Sequence, residues 1–294
     1  MSDCLAPLSA ALQPKRRVNA RYAQSIARRA VGCLHTELLL YPKPGLVSPV
    51  DNGSHHDMNA ATFMRSLFAL RHYFAAVGAA GAADAPFALL RELGIRAEAR
   101  MLKATAGINT HRGAIFSLGM LCAALGRVHA CGMKADAASV RSILMLCWGE
   151  QLAAHAEGGA AASTSHGSVA ALRHGAGGAR EQAALGFPAV FDLALPVLRA
   201  TLAAGRGIEP ARIDALFALM AQVADTNVLY RGGAGGAAFV RESASDFLAR
   251  GGTAAADWRT RAIAIHHAFV ARRLSPGGAA DLLAATCLVH GCTA

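Results

Sequence analysis

Apolar residues recur every three to four positions through almost the whole chain, and no stretch alternates polar and apolar residues as a half-buried strand does. Ala23, Ile26, Ala30, Leu34 and Leu38 form one such stripe, Phe63, Leu67, Leu70 and Phe74 a second, and Ile213, Phe217 and Met220 a third. This spacing restricts the chain to helices. Of its 294 residues 54% are hydrophobic but only 6% aromatic, so the core must be built from Ala, Leu, Val and Met. The predicted fold is all-α, a single-domain multi-helix bundle of about ten helices with polar, glycine-rich loops at helix ends. Residues 1–18 are expected to form a loose N-terminal segment and residues 19–294 the helical domain, with Asn19 capping its first helix.

The longest break in the helical pattern is Tyr41 to Met58, which carries three prolines, two glycines, a lysine, two histidines and two aspartates. Proline removes an amide donor and clashes with the preceding turn, so no regular helix passes through it. Eighteen residues are long for a plain connector, and exposed polar loops held by rigid helices are where binding and catalytic groups gather. Two further polar clusters punctuate the helices beside glycines. One is Asn109, Thr110, His111 and Arg112, expected at the start of a helix capped by Asn109 or Thr110. The other is Asp225, Asn227 and Arg231, which leads into the glycine-rich turn up to Gly236. Helix starts present unpaired amides and a positive dipole end, so such clusters suit an anion. Taken singly, each is also explained by ordinary capping, a plain turn or a satisfied core histidine. His266 and His267, adjacent on a helix, read as surface groups.

Other classes are disfavoured. There is no G-x-x-x-x-G-K-[ST], and Gly232 to Gly236 follows a helix rather than a strand, which excludes a Rossmann turn. The net charge of +10 calls for an anionic partner. Its arginines are dispersed singly and no aromatic platform accompanies them, so no nucleic acid is expected, whereas a nucleotide polyphosphate fits. Seven cysteines form no C-x-x-C pair, which fits a reduced compartment without disulfides or zinc. No window reaches the roughly 18 uncharged apolar residues of a membrane span, and the first twenty residues place their basic cluster after the apolar patch, unlike a secretory leader. No membrane partner and a cytoplasmic location are expected.

Lys43-Pro-Gly-Leu-Val with Asn52-Gly and His55-x-Asp57-Met, then Gly107-Ile-Asn-Thr-His-Arg-Gly-Ala-Ile-Phe, Gly186-Phe-Pro, Asp225-Thr-Asn with Arg231-Gly-Gly, and Gly277-Gly-x-Ala-Asp281-Leu-Leu occur in this order. Together they resemble the triphosphoribosyl-dephospho-CoA synthases, from about residue 25 to 290. The resemblance implies an enzyme that joins ATP and 3'-dephospho-CoA by displacing adenine from the ATP ribose. Its product is the precursor of the prosthetic group on the acyl-carrier subunit of citrate lyase or malonate decarboxylase. The Ala- and Arg-rich chain without a fused transferase domain looks more like the malonate decarboxylase branch, and a downstream transferase or the acyl-carrier subunit is a further implied partner. One departure stands out: Arg-Gly-Glu-Ala is expected before the Gly-Phe-Pro bend, but the chain has Arg180-Glu181-Gln182-Ala183, so Glu181 receives no role.

Displacing a base from an anomeric carbon passes through an oxocarbenium-like state and calls for an acid at the leaving base and a base at the attacking hydroxyl. Asp57 and Asp225 are the carboxylates expected for these tasks or for Mg²⁺ on the triphosphate, and His111, with an ordinary pKa of about 6.5, for the base. Lys43, His55, Arg112 and Arg231 are expected to neutralise phosphate. Gly45, Asn52, Gly107, Asn109, Thr110, Gly113, Asn227, Gly232 and Gly233 complete the expected binding set. The alternatives are a Mg²⁺-dependent ADP-ribosyl hydrolase-like enzyme, also helical and acting at ribose C1, and a non-catalytic helical adaptor.

Overall fold

In the computed structural model, residues 6–162 and 178–293 are described, and among them there are eleven α-helices and no strand. The helices are α1 (Ala6–Leu39), α2 (Ala60–Ala82), α3 (Phe87–Ala104), α4 (Arg112–Ala130), α5 (Ala137–Ala162), α6 (Ala179–Ala184), α7 (Leu195–Ala203), α8 (Ile208–Gln222), α9 (Thr226–Ala249), α10 (Trp258–Ala271) and α11 (Gly277–Thr293). The short helix expected around Val169 lies outside the described residues. α1 starts at Ala6, so Asn19 sits inside the helix and does not cap it. At α2 the local chemistry works as expected: the Asn59 side chain accepts from the Thr62 amide while Thr62 faces the Asn59 amide, a reciprocal cap worth about 1 kcal/mol.

α4 is the central rod, buried on nearly every side. It meets the length and mean hydropathy of a membrane span, though it includes Arg112 and Arg127, and 72% of that window is buried inside the fold. α2 lies against it unusually closely. A Cβ built on Gly81 would fall 2.1 Å from the Ala123 carbonyl, and one on Gly126 2.1 Å from the Gly78 carbonyl, so larger side chains there would force the helices apart. α1, α2, α3 and α5 pack around α4, while α7, α8 and α9 form a second group. α11 packs against both α1 and α4 on one side and α8 on the other. It thereby joins the halves, and its buried apolar run from Leu282 to Val289 explains why it can.

Two sequence irregularities resolve physically. Pro196, expected to kink a helix, is preceded by a π turn from Ala189 to Ala194, in which the Leu195 amide reaches back to the Val190 carbonyl. The widened turn accommodates the missing proline donor. The glycine-rich segment from Asp225 to Gly236, expected as a turn, is instead the start of α9, and only Gly233 leaves helical geometry, at φ 59° and ψ −160°. Between α9 and α10, Gly252–Ala254 forms a 3-10 turn.

Candidate active site

The long loop after α1 is anchored by buried ionic and polar contacts. Lys43 and Glu37 are both buried and lie 2.5 Å apart, Nζ to Oε1. Burial pulls the Lys43 ammonium below its ordinary range, with Glu37 opposing. Lys43 is therefore an internal counter-ion, not the free phosphate cation expected. His266 is fully buried on α10, correcting its reading as a surface group; only His267 is exposed. Its Nε2 lies 3.1 Å from Asp51 Oδ2, and its Nδ1 lies 3.3 Å from the Gly45 amide and 3.2 Å from the Lys43 carbonyl. Nε2–H donating to the carboxylate leaves Nδ1 to accept from Gly45. At Gly45 a Cβ would sit 2.1 Å from the Leu274 carbonyl, so the loop packs directly on the α10–α11 connection.

That connection builds one wall. Ser54 Oγ donates to the Leu274 carbonyl at 2.6 Å, and His55 Nε2 is 2.8 Å from Ser275 Oγ. Arg231 Nη2 is 3.0 Å from His55 Nδ1, and its Nη1 donates to the Ser54 carbonyl at 3.1 Å. Guanidinium can only donate, so Nδ1 accepts and Nε2 carries the proton toward Ser275. Burial, then Arg231, pushes His55 down to about 4. The expected cationic His55 is thus a neutral support that orients Arg231. Asp57 is 63% exposed at the mouth, 3.8 Å from His55.

At the start of α4 the Asn109 side chain accepts from the Arg112 amide at 3.1 Å, but the cap position itself is His111, one residue past the expected caps. His111 is buried, with Nδ1 2.7 Å from Ser66 Oγ and its ring edge-on to Phe63 at 4.9 Å between centroids. Its Nε2 and the Thr110 hydroxyl are buried polar atoms without a partner, and both residues line the cleft. Such groups cost about 1–3 kcal/mol each when left unmet, so both are candidate contacts for a polar group of a substrate. Burial, then Lys43, lowers His111 to about 3, which removes it as the base of ordinary pKa expected above. Arg112 is half-buried and paired with Glu98, its Nε 2.7 Å from Oε1.

Asp225 caps α9: Oδ1 accepts from the Asn227 and Val228 amides at 2.8 and 3.3 Å, and Oδ2 from the Ala279 amide of α11 at 3.0 Å. It clamps two helix starts together, and burial raises its pKa against those amides. One turn into α11, Asp281 faces the start of α4, where a Cβ on Gly113 would fall 2.2 Å from its Oδ2. Burial first, then Glu37 and Asp225, pushes the Asp281 carboxyl well above its ordinary range, opposed by the Ala114 amide.

These parts converge on a cleft of about 1380 Å³. Lys43, His55, Asp57, Gly107, Asn109, Thr110, His111, Arg112, Gly113, Asp225, Asn227 and Arg231 line it, whereas Gly45, Asn52, Gly232 and Gly233 do not. The N-terminal residues of α4, α9 and α11 all face it, which sums three positive dipole ends in one place. Sequence reasoning gave no role to Glu37, Arg91, Glu98, Arg180 and Asp281, which also line it, although Arg180 and Asp281 fall in the stretches that carry the family resemblance. Two of them carried a signal: Glu37 falls on the apolar face of Leu34 and Leu38, and Asp281 opens an otherwise apolar helix. Of the displaced pair after Arg180, Gln182 accepts from the Ala189 amide at 3.1 Å, and Glu181 lines the cleft.

A consequence for stability follows from His111. Its folded pKa lies below the ordinary 6.5, so the unfolded chain takes up a proton that the folded chain refuses. Its contribution is complete above pH 6.5 and is lost as pH falls from there toward about 3, on the order of 2–3 kcal/mol by about pH 4.5. His111→Gln should therefore lose less thermal stability than the parent between about pH 7.5 and 4.5. Parallel melting curves across that range would remove His111 from the acid response.

A helical bundle whose helix starts, arginines and carboxylates line one cleft has the arrangement of a site for a polyanion. Comparison with known proteins narrows this. The family model of ATP:dephospho-CoA triphosphoribosyl transferases matches residues 23–294. The 2-(5''-triphosphoribosyl)-3'-dephosphocoenzyme-A synthase of Pectobacterium atrosepticum is 41% identical over 272 residues, 90% of this chain and 88% of the relative. That of Klebsiella pneumoniae is 40% identical over 268 residues, 89% and 92% of the two chains. A probable synthase of Acinetobacter calcoaceticus is 39% identical over 267 residues, 91% and 90%. No solved structure matches the chain. The chain belongs to the triphosphoribosyl-dephospho-CoA synthase family, and it is an enzyme of the pentosyltransferase kind.

Proposed function

We propose that this cleft transfers the triphosphoribosyl group of ATP to a ribose hydroxyl of 3'-dephospho-CoA, with release of adenine. The observation that carries this reading is Asp281, a partly buried carboxyl crowded by Glu37 and Asp225 in a cleft too large for one nucleotide. Sites for a single ligand run to roughly 300–1,000 Å³. In the reaction the C1–N bond of ATP breaks, adenine takes a proton, and the acceptor hydroxyl loses one as its oxygen bonds C1. A carboxyl whose pKa is raised by its surroundings is suited to give the proton. Asp57, open at the mouth, is the carboxylate placed to take the hydroxyl's proton. Asp225, with its oxygens met by amides, serves as a clamp. Neutral His111 offers Nε2 to hold a sugar hydroxyl or the leaving base.

Among the described residues no three His, Cys, Asp or Glu side chains converge as a metal-binding group. That donor set does not suit the two-metal centre a hydrolase of the ADP-ribosyl kind would use. It suits a Mg²⁺ that arrives on the triphosphate, for which one or two carboxylates suffice. Such an ion would be held mainly by the triphosphate oxygens and water, and would neutralise phosphate charge.

Incubation of the purified chain with ATP, Mg²⁺ and dephospho-CoA should release adenine and raise the coenzyme mass by one triphosphoribosyl group. Adenine released without a coenzyme adduct would make water the acceptor and sink the transfer reading. In the same assay Asp57→Asn should lower turnover roughly 10²-fold or more, and near-native turnover at saturating Mg²⁺ would exclude Asp57 as the base. We place the enzyme in the cytoplasm and its product in the malonate decarboxylase branch, a choice tested by offering the product to the acyl-carrier subunits of malonate decarboxylase and citrate lyase.

A further inference from the structure

The charged groups of the cleft fall into separate sets. Around Glu98 stand Arg112, Arg91 and Arg180, close enough that Arg91 and Arg112 oppose the charge on Arg180. Arg112 is paired with Glu98, but Arg91 and Arg180 make no ion pair among the described residues. Across the cleft, Arg231 is held by His55 and the Ser54 carbonyl beside Asp57 and the starts of α9 and α11. The acids Glu37, Asp225 and Asp281, the first two buried and the third partly so, form a third set, neighbouring one another electrostatically. The surroundings of the two cationic ends also differ. Phe87, Leu90, Ile95 and Phe116 line the cleft with Arg91, and a side groove of about 560 Å³, lined by Trp148 and Cys147 together with Asp84 and Gln151, shares Phe87 and Arg91 with it. The Arg231 end offers helix-start amides and an open carboxylate instead.

We infer that the Arg91–Arg180 end is a binding site for the diphosphate of the CoA-type substrate, with its long, uncharged pantetheine arm lying along the apolar wall and side groove, while the Arg231 end takes the triphosphate of the nucleotide donor. This rests on the proposed reaction for the identity of the two ligands. Two guanidiniums without an ion pair among the described residues, Arg91 exposed and Arg180 partly buried, match one diphosphate in charge. The apolar extension has a counterpart on a CoA-type molecule and none on ATP. The triphosphate instead needs several neutral donors, which the helix starts supply. With each polyphosphate pulled to its own end, both riboses are directed toward the acids between them.

The test is equilibrium binding of dephospho-CoA and of ATP with Mg²⁺, each alone, to the full chain and to Arg180→Gln and Arg231→Gln. Arg180→Gln should weaken dephospho-CoA about 10-fold or more and leave ATP within about 3-fold, because one charge-assisted contact is worth about 1.5–3 kcal/mol. Arg231→Gln should do the reverse. In each variant the unaffected ligand reports that the fold is intact. Weakening of both ligands alike by Arg180→Gln, or of ATP alone, would overturn the division. Release of adenine by the parent enzyme tests the reaction separately, since the pattern of dissociation constants does not depend on turnover.

Discussion

Asp281→Asn should lower the turnover of adenine release by about 10²- to 10⁴-fold, the range ascribed to a positioned general acid, while the protein stays folded. The side chains are nearly isosteric, and asparagine keeps a donor and an acceptor for the Ala114 amide and its neighbours, but it cannot give up a proton. Stability should move the other way. A carboxyl whose folded pKa is raised contributes its full stability below the unfolded value and loses it as pH climbs toward the folded one. At pH 7 the parent therefore carries a cost that the neutral amide lacks, and Asp281→Asn should melt at the same temperature or higher. The parent's turnover should also fall as pH rises through the Asp281 pKa. A variant within about tenfold of the parent rate would dismiss Asp281 as the acid. A variant both inactive and markedly less stable would mean that the carboxylate serves the fold through Gly113 and α4.

How far these roles could be read from the sequence depends on which contacts decide them. Helices were legible because their period is local: the stripe from Ala23 to Leu38 and the Asn59–Thr62 cap need no knowledge of the rest of the molecule. The polar clusters were legible as helix ends for the same reason, and twelve of the sixteen residues expected at the site do line one cleft. What stayed hidden was set by partners far away in sequence. Lys43 and Arg112 look like free cations until Glu37 and Glu98 are placed beside them. His55 looks like a charge until Arg231, 176 residues on, fixes its tautomer. Of two adjacent histidines the helical period does not say which turns inward, so His266 was misjudged. Glycine content favoured a turn after Asp225, yet packing made a helix of it and spent the freedom of glycine at Gly233 alone.

The largest effect on stability should come from splitting the Lys43–Glu37 pair. Both groups are buried, at 1% and 6% exposure, and Glu37 also borders Asp281. Lys43→Met fills similar space but leaves Glu37 as an uncompensated buried charge, a change that costs roughly 3–5 kcal/mol and should lower the melting temperature by about 10 °C. The double variant Lys43→Met with Glu37→Leu should regain most of that loss, since replacing a whole buried pair by apolar groups is often neutral or favourable. This pattern separates two readings of the same lysine. If Lys43 were the free phosphate cation that its loop suggests, Lys43→Met would weaken ATP binding, leave the fold intact, and gain nothing from a change at Glu37. If it is the counter-ion, melting falls in the single variant and recovers in the double. Melting curves for the parent and the two variants decide between these readings. A single variant as stable as the parent would show that Lys43 is not locked to Glu37 and would return it to the set of residues open to substrate.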